Sequence, residues 1–117
     1  MCIKNPTQFN QEVGFGYKVF VTSLNEIIGW LYGPNGRYSS CPYERKTWYT
    51  CASMTHPFHF YKSKESAQRL CRKSSENGIA HKVFKIKFRK GVTQGLSIYD
   101  MTAYTAQQIQ ILEEVGN

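Results

Sequence analysis

Cys41, Cys51, His56 and His59 fall within nineteen residues, with His81 further on, and these are the side chains able to hold a metal or to attack a substrate. A zinc site draws its ligands in close pairs, Cys-x2–4-Cys and His-x3–5-His. Here the cysteines are ten apart and the histidines are separated by two residues, one of them Pro57, so no metal is expected. Alternation along a strand would send Phe58 to one side and His59 to the other, where solvent or a ligand lies. Cys–His nucleophilic chemistry needs a thiolate beside an imidazole, and Cys51 with His56 or His59 is the local pair. Cys2 would carry a terminal amine and a thiol if Met1 were removed, but no further group joins it. Among eight acids only Glu113 and Glu114 are adjacent, and neighbours on a strand face opposite ways. Gly14-Phe15-Gly16 lacks the third glycine and the following helix of a dinucleotide fingerprint, and there is no Walker loop. The sequence therefore assigns no catalytic residue and no cofactor.

The cations carry more. Ten basic residues lie between Lys62 and Lys90 against Glu65 and Glu76, a net +8, whereas the rest of the chain nets −1. Such a field raises encounter rates with anions. Stacking of bases needs exposed aromatics beside cations. Tyr32, Tyr38, Tyr43, Trp48, Tyr49 and Tyr61 are interleaved with Arg37, Arg45, Lys46 and Lys62. The helix that follows Ser63 adds free N–H groups, with Lys64 beside them. The candidate binding residues are Lys62, Lys64, Arg69, Arg72, Lys73, Lys85, Lys87, Arg89, Trp48, Tyr49 and His59. A solvated basic face that only keeps the protein soluble is the competing explanation.

The elements that must position these residues follow from patterning. Residues 1–16 are polar with Pro6 and two glycines, and are expected to form a loose arm. Tyr17–Ser23 and Ile27–Tyr32 are β-branched and aromatic, a hairpin turning at Leu24-Asn25-Glu26. Gly33-Pro34-Asn35-Gly36 is a turn opening a polar loop to Lys46. Thr47–Ala52 and Phe58–Tyr61 are two more strands. Ser63 is an N-cap for a helix at about 64–76, with Ala67, Leu70, Cys71 and Ser74 on one face and Asn77-Gly78 as its stop. In Ala80–Phe88, Phe84, Ile86 and Phe88 share one face and Lys85, Lys87 and Arg89 the other; Lys90-Gly91 is expected to end it. Leu96–Tyr99 is a short strand. Residues 105–115 fit either a helix opened by a Thr105–Gln108 capping box or a strand in which Ile109, Ile111 and Glu113 alternate, and the strand is preferred. The fold class is α+β: a single twisted, mainly antiparallel sheet of about five or six strands packed by one main helix.

A chain of 117 residues with 41% hydrophobic and 15% aromatic content fits one domain, spanning residues 17–117 beyond the arm. No stretch reaches the roughly 18 apolar residues of a membrane span. The N-terminus lacks an apolar signal core, so no membrane association and a cytoplasmic location are expected. Four irregularly spaced cysteines then read as reduced thiols, Cys51 and Cys71 as small core residues.

Gly16-Tyr17-Lys18-Val19-Phe20, Thr47-Trp48-Tyr49, His59 through Ala67 and the strand Val83–Phe88 together resemble small bacteriophage-type proteins. The resemblance implies an accessory or counter-defence role in the host cytoplasm, by occluding a host enzyme or sequestering a nucleotide signal. The His59-Phe60, Ser63-x-Glu65-x-Ala67 and following strand portion is also similar to part of ADP-ribosyltransferase folds, but that family's NAD-binding residue and catalytic glutamate have no counterpart here. The expected function is a basic binding module taking an anionic partner, nucleic acid or a nucleotide before an acidic host protein, through the 62–90 face. The alternatives are an inhibitor docking a host protein by its aromatic loop and a small enzyme of ADP-ribosyltransferase-like type. The sequence does not set the oligomeric state.

Overall fold

The computed structural model describes residues 3–24, 26–32 and 38–115, with residues 30–32 and 38–40 described in their backbone only. Cys2, Asn25 and the expected turn Gly33-Pro34-Asn35-Gly36 lie outside the described residues.

Eight strands and one helix follow in the order β1 Lys4–Gln8, β2 Val13–Ser23, β3 Glu26–Tyr32, β4 Tyr38–Tyr43, β5 Trp48–Thr50, β6 Phe58–Phe60, α1 Lys64–Ser75, β7 His81–Leu96 and β8 Thr102–Glu114. All pairings are antiparallel and the main path is β4-β3-β2-β7-β8-β5. The long β7 organises the sheet: its first half lies between β2 and β8, and its second between β1 and β8. β6 pairs with β8, and Tyr61, the next residue, exchanges backbone hydrogen bonds with Tyr17 of β2 at 2.6 and 2.8 Å. The sheet thus curls until the end of β6 meets β2, while β4 and β5 remain at its two ends.

Several sequence expectations are corrected. The main path of the sheet has six strands, within the expected five or six, but β1 and β6 join it off that path and bring the described strands to eight. The supposed arm contains β1 and the start of β2, because its backbone groups find partners along β7. Part of the polar loop before Lys46 is β4, laid along β3. Lys90-Gly91 does not end β7. Lys90 takes a left-handed backbone, φ 59°, and the strand continues past an irregularity with β1 and β8 still paired to it. Beyond Leu96 the chain forms a 3₁₀ turn at Ile98–Asp100 rather than a strand. The ambiguous tail is β8, and Ile109 and Ile111 are both fully buried in it.

Alternation divides the side chains of the sheet between two faces. The inner face of the curl holds Phe20, Phe84, Ile86, Phe88, Ile109 and Ile111, capped by Phe9, Phe58 and Phe60. Rings meet at short range there, Phe60 on Phe88 at 4.6 Å and Phe9 on Tyr104 at 4.9 Å. Each such pair contributes about 0.5–1.5 kcal/mol beyond the area it buries. Gly14 and Gly16 of β2 make room for these rings: a Cβ on Gly16 would stand 2.5 Å from Phe60 and one on Gly14 2.9 Å from Phe88.

On the outer face, α1 covers one end, where Ala67 and Cys71 pack with Val83, Tyr61, Met101 and Ala103. The helix starts as its sequence requires, the Ser63 hydroxyl accepting from the Ser66 N–H at 3.2 Å. It ends before Gly78, whose φ of +87° suits a residue without a Cβ. The other end of this outer face carries no helix.

Candidate nucleic-acid interface

The uncovered end of the outer face is built from four strands in register. Phe15 of β2 pairs with Lys87 of β7, Lys87 with Gln110 of β8, and Gln110 with Trp48 of β5. The next row is Val13, Arg89, Gln108 and Thr50. Register partners in a sheet share a face, so these eight side chains form a two-row platform. Tyr17 and Lys85 make a third row on the side of the helix, with Glu113 as the β8 partner of Lys85.

Cations and rings are in contact across the platform. The Lys85 and Lys87 Nζ atoms lie 5.1 and 6.0 Å from the centroid of Phe15, a ring 55% exposed. The Arg89 guanidinium sits 3.8 Å over the Trp48 ring. Cation–π contact at these ranges is attractive and holds the long side chains over the sheet. The amides between them are also oriented: Gln108 Nε2 donates to Thr50 Oγ1 at 3.0 Å and Gln110 Nε2 to the Lys46 carbonyl at 2.9 Å. The ion pairs among the described residues, Lys73–Glu76 and Lys82–Glu114, involve none of these three cations.

The remaining candidate residues scatter. Lys62 donates to Gln11 Oε1 at 2.6 Å and lies 4.7 and 4.9 Å from the Phe9 and Tyr104 rings, on the aromatic inner core rather than on the platform. Arg69 stacks over Tyr99 at 5.1 Å, and Lys73 pairs with Glu76 at 3.6 Å. Lys64 and Arg72 are exposed on α1. Trp48 and Tyr49 separate by alternation. Tyr49 pairs with buried Ile109, stacks on Tyr43 at 4.4 Å, and its hydroxyl accepts from the Glu44 N–H at 2.7 Å.

Phe15, Val13, Gln108 and Gln110 were not legible as site residues. Phe15 and Val13 sit in the segment that looks like an arm, and the glutamines in the tail with two readings. The available signal was the alternation Gly14-Phe15-Gly16-Tyr17 and Gln108-Ile109-Gln110-Ile111, which places the larger or polar member of each pair on one face.

His59 belongs elsewhere. A cleft of about 1020 Å³ is lined by Lys18, Phe20, Cys51, His56, Pro57 and His59 among others. The Lys18 ammonium donates to the His59 carbonyl at 2.6 Å, and burial holds its pKa down to about 8. Burial, and then the nearby Lys18 charge, push the His59 imidazole down to about 4, so it is neutral at ordinary pH. Burial raises the Cys51 thiol, against the thiolate that a nucleophile needs. Among the described residues no three His, Cys, Asp or Glu side chains gather as a metal site. No helix of the described residues is long and apolar enough to cross a membrane. Comparison with protein-family models, with curated proteins and with solved structures finds no match.

Proposed function

We propose that the protein is a small basic binding module whose platform engages an anionic partner, nucleic acid first. The observation that carries this reading is the row of Lys85, Lys87 and Arg89 on one uncovered sheet face, set against the rings of Phe15 and Trp48. A solvated face that only aids solubility gives no reason for two aromatic rings to stand among three cations. An acidic protein surface is the second partner class, since the same cations would serve it. The resemblance to bacteriophage-type proteins suits an accessory or counter-defence role, in which such a module occludes or sequesters its target in the host cytoplasm.

The test is binding of a labelled oligonucleotide by the wild type and by Lys85→Gln/Lys87→Gln/Arg89→Gln across a salt series. Each phosphate contact contributes a slope of about −0.7 to −0.9 in log K against log salt. The triple variant should bind more weakly and its slope should flatten by about 2 to 3. Binding and slope unchanged from the wild type refute the proposal.

A further inference from the structure

Resting on that reading, we infer that the platform takes single-stranded nucleic acid laid across the strands, with one unpaired base on Phe15 and another on the Trp48–Arg89 stack. Phe15 and Trp48 terminate the same four-strand row. Neighbouring strands lie about 4.8 Å apart, so three intervals set the backbone positions of Phe15 and Trp48 about 14 Å apart along the row. A strand stacked at about 3.4 Å per step covers that distance in about four steps, or about five nucleotides, and an extended one in fewer. Between the rings stand Lys87 and Gln110, a cation for a phosphate and an oriented amide for a base edge.

Single-strand selectivity follows from what each station offers. A base inside a duplex has no free face for Phe15, whereas an unpaired base presents one. Phe15 is more than half exposed with two ammonium groups near its ring, so it is open to a partner with a π-face and a nearby negative charge. Arg89 already covers one face of Trp48, and a base added to the guanidinium plane completes a three-layer stack. Its three rows, from Val13 and Arg89 through Phe15 and Lys87 to Tyr17 and Lys85, span about 14 Å along the strands, a depth that one nucleic-acid strand fills.

The experiment measures affinity for oligothymidylates of two to twelve nucleotides and for a twelve-base-pair duplex at equal salt, with tryptophan fluorescence as a second readout. Single-strand affinity should rise to about four or five nucleotides and then level off, and should exceed that for the duplex. Phe15→Leu and Trp48→Leu should each weaken single-strand binding about five- to hundredfold, and by more than they weaken duplex binding. Trp48→Phe should keep most of the affinity and lose the fluorescence quenching, with circular dichroism confirming that each variant folds. If the leucine variants bind the single strand as the wild type does, yet the triple glutamine variant loses binding, the stacking row is refuted and the basic-face reading stands. Duplex binding as tight as single-strand binding also overturns the inference. Absence of nucleic-acid binding at low salt overturns both.

Discussion

His59 makes the stability of this protein depend on pH in a defined direction. Its pKa falls from 6.5 in the unfolded chain to about 4 in the folded protein, chiefly through burial and secondarily through the Lys18 charge. Between these values the unfolded chain binds a proton that the folded protein does not, so unfolding is favoured as pH drops. The full contribution is present above pH 6.5 and is lost progressively as pH falls towards 4. At 1.36 kcal/mol per unit, the shift amounts to about 3 kcal/mol at most. For a chain of this size about 3 kcal/mol corresponds to roughly 12 °C in Tm. The assay is urea unfolding at half-unit steps from pH 4 to 7.5, with the wild type beside His59→Gln, His56→Gln and His81→Gln. His59→Gln should remove the steep part of the profile, and an NMR titration should find the His59 imidazole still neutral at pH 5. A profile that His59→Gln leaves unaltered, or a His59 resonance titrating near 6.5, would refute the reasoning.

Two further expectations concern the same region. In Lys18→Met the charge that acts on His59 is gone while its burial persists, so the His59 pKa should rise without reaching 6.5; NMR titration of the variant reads this directly, and an unmoved value would show that Lys18 does not act on it. Gly16→Ala would set a methyl 2.5 Å from Phe60 and 2.9 Å from the Tyr61 carbonyl, at the place where the curled sheet meets itself. Overpacking there should cost about 1–3 kcal/mol in chemical denaturation, and an unchanged midpoint would mean that the two strands separate without cost.

Local chemistry was enough to place several elements. Ser63 at the start of α1 and Gly78 after it act within one helical turn, so they are readable without knowing what the helix packs on. The alternation of Phe84, Ile86 and Phe88 with Lys85, Lys87 and Arg89 was likewise sufficient, because a strand sends successive side chains to opposite faces whatever its neighbours are. From that pattern the cationic row itself was legible, as was the buried place of Cys71 on its helix.

What the row stands beside was decided by pairing across the sheet. β1 looks like an arm because Lys4–Gln8 has no apolar pattern, and it becomes a strand only because β7 is long enough to offer it backbone partners. Register brings Phe15, from seventy-two residues earlier, next to Lys87, and Trp48 into the same row through β8. The separation of Trp48 from Tyr49 and the enclosure of Lys18 beside His59 arise in the same way, from which strand lies opposite and how far the sheet curls. A sequence fixes which side chains share a face of one strand; which strands lie together is set by hydrogen bonds and packing between residues far apart in the chain, and the platform exists only at that level.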